Sequence, residues 1–338
     1  MSGPSTSVDT PTTATAHTVL GSVPADQLGV TSIHESLLSV LPGAQYAHDL
    51  TLDRVDIFDT LETKLTDFKA AGGGTLVDAT GQFHGRDLPL LEALSRATGV
   101  HIIASTGQGP ESMLGGYFLT PQTNPPTPWP AQKWAALFAA EISEGMVVPR
   151  IERRGAAGLI ATAVTRAGAT ATDTELLRGA ARAALQTGVA LSFLPGADPL
   201  GELEIVLAEG LEADRVVVCG VDRLGSDGLA QKLAARGAYV TLDHVGTEGH
   251  HEDNLGATGY LTDTARVALV ADLVAAGHTD RILLSSSATG AAFGHPATDV
   301  AFTHILDSFV PALRAAGIDD ATATAILVAN PAALLTVR

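Results

Sequence analysis

The sequence predicts an α/β protein folded as a (β/α)8 TIM barrel, one domain over residues 17–338. Three observations predict it. The chain has 338 residues, long for an ordinary domain but normal for an α/β barrel. Short apolar runs alternate with longer amphipathic stretches, the pattern of repeated βα units around a parallel sheet. No linker interrupts the alternation. Hydrophobic residues make up 46% of the chain, so a core can form without disulfides or a structural metal.

The apolar runs place strands near 28–34, 75–80, 101–106, 158–164, 190–194, 215–221, 239–243 and 281–286. Helices fit between them. One spans Thr172 to Thr187, capped by Thr172 or Asp173 and ended by Gly188. Another spans Thr262 to Gly277, with Val267, Val270, Ala271 and Val274 as its apolar stripe. Two closing helices are expected at 297–316 and 321–335. The segment Thr120–Pro130 carries five prolines and reads as an extended loop after the third strand. Residues 1–16, rich in Ser, Thr and Pro, read as a disordered arm without the basic start or apolar core of a signal peptide.

Twenty basic against 37 acidic residues give a net charge of −17, which argues against a nucleic-acid partner. A single cysteine, Cys219, excludes an internal disulfide and cysteine-based zinc clusters. No apolar run has the length to span a bilayer, so no membrane partner is expected and a cytoplasmic location is the default.

Barrel enzymes work at the carboxyl ends of their strands, where side chains converge. The first strand ends in His34, which reads equally as a general acid–base group or as a packing histidine. The seventh ends in Asp243 and His244, which point to opposite sides of an extended chain. The loop after it, Glu248 to Asp253, contains His250 and His251 and reads as solvated rather than metal-binding. Gln82, His84 and Gln108, in loops after the second and third strands, are candidate ligand contacts. Arg86 and Asp87 read as capping the next helix and pairing with each other or with neighbours. Ser285, Ser286 and Ser287 close the eighth strand; Ser287 could serve as a nucleophile with His34 as base and Asp243 as orienter, although no nucleophile-elbow pattern surrounds it. Cys219 reads as a buried hydrophobe, and His101, His278 and His304 as structural.

Several segments together resemble the phosphotriesterase family of the amidohydrolase superfamily: Leu28 to Leu38, Gly72 to Thr80, Gly85-Arg86-Asp87, Arg215 to Asp222, Asp280 to Ser285, Thr303 to Leu306 and Asn330-Pro331. The resemblance implies a barrel of the amidohydrolase type with two metal ions at its mouth, and often a homodimer. It places metal ligands at His34 and Ser36, a bridging lysine at Ala161, histidines at Leu194 and Gly220, and an aspartate at Ser287. Of these six positions only His34 keeps a ligand. A catalytic zinc takes three protein ligands plus water, so no metal and no cofactor are expected. Apolar replacements, with Phe193 and Leu194 as wall residues and Ser286 and His244 as further contacts, suit a small organic ligand. The expected function is a metal-independent, repurposed enzyme working by acid–base chemistry, as a lyase, isomerase, cyclase or dehydratase. The alternatives are a non-catalytic binding or scaffold protein, and a hydrolase with a displaced metal at His244, His250 and His251.

Overall fold

A computed structural model describes residues 14–41, 44–82, 84–114, 129–148, 152–253, 256–298 and 300–338. The chain opens with an antiparallel pair, β1 (Thr15–Thr18) and β2 (Gly21–Pro24). Ala16 is fully buried, so ordered structure starts inside the expected arm; residues 1–13 lie outside the described residues.

The parallel staves of the barrel then follow in chain order. They are β3 (Val30–Val40), β4 (Gly73–Asp78) and β5 (His101–Thr106). A small antiparallel pair, β6 (Met146–Val148) and β7 (Glu152–Arg154), lies outside them. The staves continue as β8 (Leu159–Ala163), β9 (Leu191–Leu194), β10 (Val216–Val218) and β11 (Tyr239–Leu242). A hairpin, β12 (Gly249–Asp253) and β13 (Gly256–Tyr260), occupies the stretch expected to be a solvated loop. The eighth stave is split into β14 (Ile282–Leu284), which pairs with β11, and β15 (Thr289–Phe293), which pairs with β3.

Period-two alternation sorts the side chains into two cores. Val77, Ile103, Val217 and Leu283 belong to the inner cluster, while their neighbours Leu76, Ile102, Val218 and Leu284 pack outward against the helices. These helices include α1 (Arg54–Ala70), α2 (Leu88–Thr98), α3 (Glu111–Leu114), α4 (Ala131–Ser143) and α5 (Ala171–Thr187). Thr170, not Thr172, caps α5, in a reciprocal capping box with Asp173, and Gly188 ends it in the left-handed conformation as expected. Asp87 caps α2 and pairs with Arg54, whereas Arg86 makes a buried bidentate pair with Glu141. Next come α6 (Pro199–Leu207), α7 (Leu229–Ala235) and α8 (Asp263–Ala275), the last capped by Thr262. The first closing helix is shorter than expected. It begins at Ile305 with a wide π turn and continues as α9 (Val310–Ala315), because the segment before it folds over the mouth instead. The second holds α10 (Asp320–Thr324), a π turn and α11 (Asn330–Leu335).

The seam between β14 and β15 is closed by a side chain. Beyond Ser285, whose N–H still donates to Leu242 O at 2.9 Å, the chain leaves β14, and the buried carboxylate of Glu35 takes over donors in the gap. It accepts from Ser286 N at 2.9 Å, Ala288 N at 2.5 Å, Ser285 Oγ at 2.7 Å and the Ser32 hydroxyl. Burial pushes this carboxyl above its ordinary pKa, against the pull of those hydrogen bonds. Ser287 sits in the gap at φ +46°, the one non-glycine with positive φ among the described residues. At the opposite end the first described strand meets the last residues: Val337 N donates to Thr15 O, and buried Arg215 donates to the carbonyls of Leu334, Gly188 and Thr336.

Candidate active site

A cavity of about 840 Å³ opens at the carboxyl ends of the staves, within the range of small-molecule sites. His34 and Ser36 face it from β3, while Glu35 between them turns into the seam. Ser192 and Leu194 face it from β9. Phe193 between them is wholly buried in the outer core, so the expectation that it forms a wall is corrected by strand alternation.

The floor is organised by Asp243, which follows β11 and is fully buried. Its Oδ1 accepts from Gly220 N at 2.9 Å and lies 3.1 Å from His244 Nδ1. A carboxylate only accepts, so this contact puts a proton on His244 Nδ1 and leaves Nε2 for a ligand. Asp243 Oδ2 has no hydrogen-bond partner and lies 3.9 Å from His34 Nδ1. Although burial alone would raise it, the Asp243 carboxyl is held well below its ordinary range by the rings of His244 and His34 and by Arg223. His34 is a quarter exposed, toward the cavity; removal from water lowers its pKa, and the Asp243 charge offsets only part of that. Asp222 backs His244: its Oδ2 accepts from His244 N at 3.1 Å and from fully buried Arg266 at 2.7 Å. Burial, then the neighbouring Asp243 charge, pushes the Asp222 carboxyl up.

Ser287 Oγ lies 3.2 Å from His34 Nδ1. A serine–histidine–aspartate relay needs its serine and carboxylate on opposite ring nitrogens. Here both face Nδ1, so the expected relay is not assembled.

Gln108 and His84 line the cavity. Gln82 stands behind it, accepting from Gln108 Nε2 at 2.6 Å; it orients Gln108 rather than meeting a ligand. Ser286 is also withdrawn, with its backbone N–H committed to Glu35. The hairpin arches His251 and Tyr260 over the mouth, and the Tyr260 ring stacks on His244 at 3.9 Å between centroids. Sequence reading missed Tyr260, Asp222, Ser39 and His295. For Ser39 no signal was available: consecutive Leu37 and Leu38 both belong to the outer core, so alternation counted from His34 does not carry to Ser39, which nevertheless reaches the cavity.

Two metal ions would need the bridging side chain that Ala161 lacks, and they would meet the isobutyl group of Leu194 and the bare backbone of Gly220. The residues present do not fit a two-metal centre. Ligand-type atoms converge, within 4.8 Å of one another, in His34–Cys219–Asp243 and in Asp222–Asp243–His244. His250 and His251 join neither group, so the displaced site expected from them does not form among the described residues; His251 Nε2 lies instead 2.6 Å from the Glu248 carbonyl.

The sequence model of the Phosphotriesterase family matches residues 14–335. The chain belongs to the phosphotriesterase family. Among its relatives, an N-acetyltaurine hydrolase of Danio rerio is 27% identical, over 95% of this chain and 97% of that protein. A phosphotriesterase homology protein of Escherichia coli K12 is 25% identical, over 90% and 97% respectively. A mutant of a PTE-like lactonase from Deinococcus radiodurans superposes with a TM-score of 0.83 at 26% identity, covering 95% of this chain and 99% of that one. These phosphotriesterase-family barrels share the curled, mostly parallel sheet described above. No helix among the described residues is long and apolar enough to cross a membrane.

Proposed function

We propose that the cavity hydrolyses a carboxylic ester or amide bond in a small organic molecule, with His34 carrying the proton and His244 held beside it, both by the single carboxylate of Asp243. The observation that carries this reading is the unpartnered, fully buried Asp243 Oδ2 facing His34 Nδ1, while Oδ1 of the same group orients His244. A neutral His34 takes the proton of a water attacking the acyl carbon, and Asp243 stabilises the imidazolium that results. His34 then gives that proton to the departing alcohol or amine, while His244 Nε2 accepts a hydrogen bond from the ligand. Polar side chains lining the cavity, Gln108 and Thr162 among them, supply hydrogen bonds for the ligand. One relative named above is a hydrolase by name and the similar structure is a lactonase by name, which favours hydrolysis over the lyase, isomerase, cyclase or dehydratase chemistry expected from sequence.

The test is turnover of N-acyl amino acids, N-acetyltaurine, lactones and aryl esters by chelator-treated protein. His34→Ala should lower the rate by about 10²–10⁴-fold without loss of fold. Hydrolysis at the wild-type rate in that variant would overturn the reading. A second reading, hydrolysis assisted by one ion, is favoured by the convergence of His34, Cys219 and Asp243. Loss of activity on chelation and its return with zinc would select it. Burial pushes the Cys219 thiol up and Ser192 Oγ lies 3.1 Å from its sulfur, both of which work against that ion.

A further inference from the structure

At the rim of the same cavity, Ser39 and His295 form a pair that the floor chemistry does not use. Ser39 lies five positions beyond His34 on β3, at about 3.3 Å per residue. Its Oγ is 2.7 Å from His295 Nε2, and His295 Nδ1 is 2.9 Å from the Pro296 carbonyl oxygen. A carbonyl cannot donate, so in the neutral ring Nδ1 holds the proton and Nε2 accepts from the Ser39 hydroxyl. The order is nucleophile, base, orienter. Rigid backbone holds both partners: β15 pairs in register with β3, placing Ala292 beside Ser39, and Leu41 N donates to Phe293 O at 2.9 Å. Gly294, at φ +82°, then turns the chain so that His295 comes back over the strand. Its left-handed conformation suits glycine, and a Cβ there would come within 2.7 Å of Ala44. His84 stands on the same rim, its backbone carbonyl fixed by Val40 N at 2.9 Å, and its ring lies near enough to His295 for their charges to interact.

We propose that Ser39 is a nucleophile and His295 its base, forming a second reaction centre at the rim that cleaves small activated carboxylic esters through an acyl-serine. The Ser39 Oγ–H proton passes to His295 Nε2 as the Oγ–carbon bond forms. The bond from the acyl carbon to the leaving oxygen then breaks, and that oxygen takes the proton from His295. Water, deprotonated by the same nitrogen, attacks the acyl carbon, releases the carboxylic acid and returns the proton to Oγ. The neutral His84 ring supplies an N–H to the carbonyl oxygen as it gains charge. This centre does not depend on the floor reaction.

The experiment is labelling of the full chain with a fluorophosphonate, in which the Oγ–phosphorus bond forms and fluoride leaves, followed by peptide mapping by mass spectrometry. The label is expected on Ser39. It should be absent from Ser39→Ala and form at least about 100-fold more slowly in His295→Gln. Circular dichroism of both variants reports whether the fold is kept, and the His295 variant carries the test if the serine variant is unfolded. An unlabelled wild-type protein, a label on Ser287 or another serine, or equal labelling of His295→Gln would overturn the proposal.

Discussion

Asp243 serves two imidazoles at once, and its effect on each has a sign. Its negative charge favours the protonated form of His34, while removal from water favours the neutral form and prevails. The neutral base is therefore kept at pH values below the ordinary histidine range of about 6.5, and the acid limb of the rate profile should lie below that value. Asp243→Asn removes the upward pull, so the limb should move to still lower pH while the rate plateau falls. A limb that stays in place, or moves up, in a pH–rate comparison of the two proteins would contradict this assignment. His34, Asp243, Ser287, His84, Gln108, Leu194 and His244 were each legible in sequence as strand-end or loop residues. Which of them share one carboxylate was not, because Asp222, Asp243 and His34 come from three different strand ends. The single-nitrogen contact of His34 with both Ser287 and Asp243 is likewise a matter of ring placement, which no spacing encodes.

Among the elements, the split eighth stave is the one that sequence reading treated as continuous. A run such as Ile282 to Ser286 reads as one strand, and the break became visible only when β15 was seen to pair with β3. Glu35 carries the seam, one oxygen accepting from Ser286 N and the other from Ala288 N, so Glu35→Gln, which turns an amide donor toward one of these two N–H groups, should destabilise by about 1–3 kcal/mol. Denaturant unfolding measures this, and an unchanged midpoint would deny the clasp its role. The turn after β5 gives a second expectation. Gly107 has φ +119°, and a Cβ there would lie 1.8 Å from the Ala161 carbonyl oxygen. Gly107→Ala should cost at least about 1–3 kcal/mol from the backbone strain alone and disturb Gln108 beside it. A thermal melt matching that of the wild type would refute the close approach. The same arithmetic explains why Phe193 was misplaced: one residue of register decides whether a side chain meets the ligand or the helices.

For the whole molecule, closure depends on both ends of the chain. Arg215 binds three carbonyls, at 2.7 Å to Leu334, 2.7 Å to Gly188 and 3.0 Å to Thr336, and so ties α11 and the last residues to the lower barrel. Arg215→Leu should lower stability by at least about 1.5–3 kcal/mol, since each hydrogen bond from a charged donor is of that order. Hydrogen exchange should show the loss first at residues 334–338. Protection there equal to that of the wild type would mean that the guanidinium is dispensable.

Taken by themselves, the residues determined the alternation of strand and helix, the barrel and the family. Each of these is a local pattern or an identity at a position, and burial of apolar periodicity enforces it. The tertiary structure decided the seam, the sharing of Asp243 between two histidines, the arch of the hairpin over the mouth and the meeting of Ser39 with His295. These depend on side chains from distant segments settling within about 3 Å of one another, a distance set by packing and hydrogen-bond geometry rather than by order along the chain.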